Sequence, residues 1–180
     1  MKERKRNRMM NYDYSKDNLY FVTSCTKDRI HFFGEIANNT MHLNDLGEIA
    51  TQQWQWMIDR YEYAISHAFV VMPNHIHAIL EINGGAIVWD DREIVGEGRD
   101  LPLRLSMKIK SVSELMGAYK TTTSKQIHLS GYMDFAWQRS FHDHIIRNNE
   151  AFEKIKNYIL TNPLRWNADS FNQQIEEAVK

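Results

Sequence analysis

The spacing of apolar positions changes along the chain, and each change predicts an element. Residues 20–26 (YFVTSCT) are a short run rich in aromatic and β-branched side chains, the composition of a strand. Over 43–64, Leu46, Ile49, Ala50, Trp54, Met57, Ile58 and Tyr61 recur at intervals of three and four, which predicts an amphipathic helix capped by Asn44 or Asp45. Residues 66–72 and 75–82 predict two strands joined tightly at Pro73 and Asn74, hence a hairpin. A second helix is expected over 111–129, where Val112, Leu115, Met116 and Tyr119 share a face behind a cap at Ser111 or Ser113, although the threonine run 121–123 weakens it. Residues 139–146 predict a fourth strand. Residues 150–160, apolar at Phe152, Ile155 and Ile159, predict a third helix that stops at Asn162-Pro163. The order β-α-β-β-α-β-α is that of a split βαβ sandwich with one extra helix at its end.

Composition narrows the class. With 180 residues, 43% hydrophobic and 25% charged, the chain can bury the core of one soluble globular domain. Cys25 is the single cysteine, which excludes an intrachain disulfide and a metal site built on several thiolates, and fits a reducing cytoplasm. The start, MKERKRNRMM, is charged and no apolar run approaches the ~18 residues of a membrane span, so neither secretion nor membrane insertion is expected. The net charge of −1 names no partner, but the charges are unevenly placed. Lys2, Arg4, Lys5, Arg6 and Arg8 against Glu3 make residues 1–18 a basic arm, either a solubilising end or a segment that orders on nucleic acid. Arg104, Lys108, Lys110, Lys120 and Lys125 outweigh Glu114 in a second basic stretch. Between them, the acidic, glycine-rich residues 83–103 read as a mobile insertion, leaving a domain at 19–168 and a tail at 169–180.

Candidate chemistry begins in MPNHIHAILEI. Alternation along a strand puts His75 and His77 on one face and Ile76, Ala78 and Leu80 on the other, so two imidazoles can lean onto one ion. Two solvated polar residues on a strand would show the same pattern. Such a pair needs another ligand, and Tyr158 and Asn162, four apart on the last helix, share a face that could bring a carboxamide oxygen and a phenol to it. They could equally be core filler and a helix stop. Imidazole-rich sites favour Zn²⁺ or a late transition metal on ligand chemistry alone. His142 and His144 also alternate with Asp143 and could form a separate site; Ile79 stands where a histidine-triad nucleotide hydrolase would need its third histidine. Trp137, Phe141 and Trp166 could stack on unpaired bases, but their spacing, like that of Phe135, Trp54 and Trp56, is that of core residues.

Four blocks carry a resemblance: MPNHIHAIL at 72–80, GAYKTTTSK at 117–125, WQRSFHDHIIR at 137–147 and YILTNP at 158–163. In order and spacing they resemble the single-tyrosine transposases of the HUH superfamily, most closely the REP-associated tyrosine transposase branch, over residues 20–166. The resemblance implies an α+β, ferredoxin-like (RRM-like) fold, an antiparallel sheet with helices on one face and an extra C-terminal helix carrying the tyrosine. It implies binding of hairpin-forming single-stranded DNA, with cleavage and rejoining through a 5′-phosphotyrosine in Mg²⁺ or Mn²⁺. By position it makes Tyr158 the nucleophile and His75, His77 and Asn162 the metal ligands. Arg4, Lys5, Arg6, Lys120, Lys125, Arg139 and Arg147 are the basic groups expected on DNA, though any one of them could be ordinary solvated charge. Resealing would need no nucleotide, in keeping with the absence of a GxxxxGK[ST] loop. A non-catalytic single-stranded nucleic-acid-binding module on the same fold is the alternative, and a homodimer is left open.

Overall fold

The computed structural model describes residues 13–86 and 109–172. In chain order the elements are β1 (Asn18–Cys25), β2 (Gly34–Ala37), β3 (Thr40–Leu43), α1 (Asp45–Arg60), β4 (Ala64–Met72), β5 (His75–Ile82), α2 (Val112–Leu129), β6 (His142–Ile146) and α3 (Asn149–Leu160). Strands β4, β5, β1 and β6 lie side by side in that order, antiparallel throughout, as one four-stranded sheet. This is the expected α+β split βαβ arrangement.

β5 is central because its sequence tolerates water on neither face: His75 through Leu80 are all buried. Ile76, Ala78, Leu80 and Ile82, with Tyr20 and Val22 of β1, form one apolar face. Onto it pack Leu46, Ala50, Trp54 and Met57 of α1 and Val112, Leu115, Met116, Tyr119 and Ile127 of α2. The opposite face is apolar only in part. There Ala68, Ile79 and Ile146 take Ile159 of α3, with Leu19, Phe21, Phe152 and Ile155 around them. The third helix is therefore pinned to the face that also carries His75 and His77.

Local signals set the helix starts. The Asn44 side chain accepts from the amides of Leu46 and Gly47, and Ser111 and Glu114 form a reciprocal capping box at α2. After α3 the chain does leave the α-helix before Pro163, but it continues as a 3₁₀ helix, Asn162–Ala168, because proline is accommodated in a first turn, where its missing N–H would have no partner anyway.

Several expectations are corrected. The hairpin β2–β3 was not anticipated from apolar spacing, although Asn38 and Asn39, both at positive φ, are the residues that a tight two-residue turn demands. β6 starts at His142 rather than 139, since Trp137 makes only an isolated bridge to Thr26 and the Gln138 amide bonds the Cys25 carbonyl outside the ladder. Trp56 is not core: it is 41% exposed on the outer side of α1, with the Arg60 guanidinium over its ring. Trp54, Phe135 and Trp166 are buried. Arg4, Lys5, Arg6, Arg104, Lys108 and residues 87–103 of the acidic insertion lie outside the described residues.

Gly47 tests the packing at the start of α1. A Cβ there would lie 2.3 Å from the Phe33 carbonyl oxygen and 2.8 Å from Leu43 Cδ2. Because the first obstacle is backbone, Gly47→Ala should lower stability by about 2 kcal/mol or more, measured by chemical denaturation; a wild-type midpoint would contradict this packing.

Candidate functional site

The sheet holds the two imidazoles from behind. His77 lies opposite Thr23 and His75 opposite Cys25 in the β1–β5 register. Thr23 Oγ1 sits 2.7 Å from His77 Nδ1, and Asn74 Oδ1 accepts from His75 Nδ1 at 2.8 Å. The Asn74 amide nitrogen donates to the carbonyls of Arg29 and Phe171, which orients its oxygen toward His75. A carboxamide oxygen only accepts, so His75 carries its proton on Nδ1 and leaves Nε2 as a bare lone pair. Both Nε2 atoms then face one point, 3.1 Å apart. Neighbouring ligands on an ion with bonds of about 2.1 Å are spaced about 3.0 to 3.4 Å apart, so the pair already has the spacing of two ligands on one cation.

Burial keeps these rings neutral. His75 is held well below the usual imidazole range by desolvation first and by the neighbouring His77 second. His77 is pushed down to about 3, again by burial first and then by His142. Neutral nitrogen is the form that ligates metal.

α3 brings the other groups. The Ile159 anchor turns Tyr158 toward the sheet, and its hydroxyl lies 3.3 Å from His77 Nε2 while its ring meets Phe21 edge-on. Asn162 is fully buried; its Nδ2 donates to Asp169 Oδ2 at 3.4 Å, while its Oδ1 has no partner among the described residues. A buried carboxamide oxygen without a donor is costly unless something outside the chain satisfies it. Asp169, which the sequence reading missed, joins the cluster: its carboxylate and the two histidines have ligand atoms within 4.8 Å of one another. It raises the pKa of the Tyr158 phenol, adding to the larger effect of burial, against a hydrogen bond with Asn162 that lowers it. The facing Nε2 pair, the orphaned carboxamide oxygen and the carboxylate make a donor set that fits a divalent cation. Every member comes from one chain.

The segment after the 3₁₀ helix closes this site. The Phe171 ring stacks 4.6 Å from His75 with the Arg29 guanidinium on it at 5.2 Å, and Arg29 Nη1 donates to the Ser170 carbonyl. His75 and His77 are consequently 0% and 1% exposed. Nothing in the spacing of Asp169 or Phe171 signals a site, because a 3₁₀ turn rather than a regular period brings them back. Thr23 and Asn74 could have been suspected, one as a polar residue in an apolar strand and one as the direct neighbour of His75.

The remaining candidates are dispersed. Lys120 Nζ donates to the carbonyls of Gln138 and Arg139. Lys125 and Arg139 are exposed beside it on one groove. Arg147 lies at the opposite end of the sheet, beside Leu19 and Phe152. His142 and His144 are exposed and Asp143 is buried, the alternation expected of a strand. Among the described residues, the cluster in which three His, Cys, Asp or Glu ligand atoms converge is His75, His77 and Asp169, so His142 and His144 gain no third ligand of that kind.

The fold is similar to that of a solved structure, a REP-associated tyrosine transposase bound to a REP hairpin. The superposition reaches a TM-score of 0.53 at 18% identity, over 88% of this chain and 73% of that one. A second solved chain, a candidate transposase from Deinococcus radiodurans, covers 85% of this chain at 12% identity with a TM-score of 0.47. The chain belongs to the family of an uncharacterized protein of Haemophilus influenzae, to which it is 32% identical over 169 residues spanning 90% of this chain and 89% of the relative. No protein-family profile matches it. Among the described residues no helix is long and apolar enough to cross a membrane.

Two measurements probe the site. In the metal-free protein the folded state leaves His77 neutral down to about pH 3, whereas the unfolded imidazole binds a proton below its ordinary value of 6.5. The unfolded state therefore holds more protons in that window, and stability falls as pH drops through it. His77→Gln should show a shallower loss between pH 7 and 4 in denaturation series; identical slopes would mean that the ring titrates normally in the fold. Thr23→Val, which removes the partner of His77 Nδ1, should weaken Mn²⁺ binding by about 10- to 100-fold in calorimetry.

Proposed function

We propose that the chain is a metal-dependent single-strand DNA nuclease and strand transferase, a tyrosine transposase acting on hairpin-forming DNA. The observation that carries this reading is the Tyr158 hydroxyl 3.3 Å from His77 Nε2, beside two imidazoles whose Nε2 atoms already converge. A phenol placed there is a nucleophile beside a cation site.

In the proposed step Tyr158 Oη attacks the scissile phosphorus, the bond from phosphorus to the 3′-oxygen breaks, and a 5′-phosphotyrosine and a free 3′-hydroxyl result. The phenolic proton leaves Tyr158 and the 3′-oxygen takes one up, so the protons balance. Attack by a 3′-hydroxyl on the phosphotyrosine reverses the step without a nucleotide, because the phosphodiester's free energy is kept in the protein link. His75, His77 and Asn162 would hold the cation, with Asp169 as a further oxygen donor only in the closed arrangement. Bound there, a divalent ion supplies charge to polarise the phosphodiester and to lower the cost of a phenolate. Mn²⁺ suits the mixture of imidazole nitrogen and amide or carboxylate oxygen better than Mg²⁺, which prefers oxygen ligands alone.

The closed arrangement is a resting one. With Phe171 over His75 and Asp169 beside the histidines, both imidazoles are buried, and burial first and Asp169 second raise the pKa of the Tyr158 phenol. DNA reaches the site when the turn 169–171 moves aside, which also removes the carboxylate that raises the phenol's pKa.

Trapping tests the proposal. End-labelled hairpin DNA with a single-stranded 5′ tail, incubated with the full chain and Mn²⁺, should yield protein-linked DNA that survives denaturing gels. Tyr158→Phe should reduce the adduct at least 100-fold while retaining DNA binding, and chelation should abolish it. DNA binding without any adduct in Mn²⁺ or Mg²⁺ would leave the nucleic-acid-holding module as the surviving reading.

A further inference from the structure

Arg29 is held at the rim of the imidazole site by a strained loop. Its φ is 57°, directly after Asp28 at 54°. Aspartate tolerates that left-handed region, but arginine has no local reason to adopt it, and backbone strain of this kind persists only where the surroundings impose it. Here they do. Thr26 Oγ1 donates to the Ile30 carbonyl at 2.7 Å, Lys27 N donates to the Ala136 carbonyl at 2.7 Å, and Asn74 Nδ2 donates to the Arg29 carbonyl at 3.0 Å. Asn74 is also the residue whose oxygen accepts from His75 Nδ1, so one carboxamide fixes both the Arg29 backbone and the His75 ring.

The partners of the guanidinium belong to the segment that covers the site. Nη1 donates to the Ser170 carbonyl at 2.6 Å, and the group lies 5.2 Å from the centre of the Phe171 ring, which in turn is 4.6 Å from His75. Neither partner is anionic, and among the described residues Arg29 is in no salt bridge. A guanidinium offers five donors in a planar fork, of which a single carbonyl takes one. The turn 169–171 therefore presents three groups together: a carboxylate to the histidines from Asp169, an acceptor to Arg29 from Ser170, and a planar ring against both from Phe171. A nucleotide presents the same three, as phosphate oxygens and a base.

We infer that Arg29 grips the phosphodiester that Tyr158 attacks once the turn 169–171 has moved aside, with the Ser170 carbonyl now holding the place of a phosphate oxygen. The inference rests on the strand-transfer reading above and adds a residue to it. Charge that builds on the non-bridging oxygens during the attack is met by a fork of N–H donors, to which the point charge of a lysine is a poorer match. Arg29 stays protonated throughout and transfers no proton. A residue that only latched the turn over the site would act in the opposite sense, since its loss would open the site to DNA.

The test reads the initial rate of adduct formation by the full chain with Mn²⁺ and the end-labelled hairpin that carries a single-stranded 5′ tail. Phe171→Ala and Arg29→Asn each remove a contact that holds the turn in place. Phe171→Ala should keep or raise the rate, whereas Arg29→Asn should lower it about 100-fold and Arg29→Lys about tenfold. Asparagine accepts a positive φ, so the melting midpoint of Arg29→Asn should stay within about 2 °C of wild type, which excludes misfolding as the cause; the lysine variant keeps the comparison open if asparagine unfolds the loop. In a Tyr158→Phe background, which cuts nothing, Arg29→Asn should weaken binding of the same DNA about fivefold and lower the slope of log affinity against log salt by about 0.7, the mark of one lost phosphate contact on a single strand. An Arg29→Asn rate at or above wild type makes the residue a latch and overturns the inference. The two readings fail separately: no adduct from the wild-type chain together with the lower salt slope sinks strand transfer and leaves the Arg29 contact, whereas a wild-type adduct that Arg29→Asn does not diminish sinks the Arg29 contact and leaves strand transfer.

Discussion

Burial of β5 on both faces is the constraint on which the rest depends. A strand covered on both sides must carry side chains that lose nothing on leaving water, and two imidazoles meet that demand only when their polar atoms have partners. Thr23 and Asn74 satisfy the Nδ1 atoms, which fixes the rings and leaves the Nε2 pair facing one point. Desolvation then keeps both rings neutral, so the same burial that requires the hydrogen bonds also readies the nitrogens as ligands.

The face that carries them is divided along its length. At one end Ile79, Ala68 and Ile146 give α3 an apolar seat for Ile159; at the other, Thr23, Cys25, His75 and His77 form a polar half. The apolar half meets the cluster through Phe21, whose ring lies against His77 and Tyr158, and it sets where Tyr158 and Asn162 stand, since a helix anchored at Ile159 holds its neighbours at fixed angles. Stability and site geometry therefore share one contact. The 3₁₀ continuation through Pro163 and Trp166 folds Asp169 and Phe171 back over the imidazoles.

Much of this frame was legible beforehand. The bounds of β5 stand as read, the cap of α2 is Ser111 of the two serines offered, and β1, β4, α1 and α3 differ by a few residues at their ends, where caps and turns rather than apolar period decide. Elements without a long apolar period were harder. The β2–β3 hairpin is made of four-residue strands in which only the Asn-Asn turn speaks clearly. Trp56 was misplaced because indole is usually buried, yet its position on α1 points outward beside Arg60.

By itself the sequence determined which residues alternate and which recur, and hence that His75 pairs with His77, that Tyr158 and Asn162 travel together, and that a split βαβ sheet carries them. Those are short-range relations, set by a period of 2.0 or 3.6 residues. Only the tertiary structure decided that the two pairs meet, that Asp169 joins them, and that Phe171 shuts the site. These contacts span 81 residues between His77 and Tyr158 and depend on which face of the sheet α3 covers, a choice made by the packing of Ile159 rather than by any local pattern.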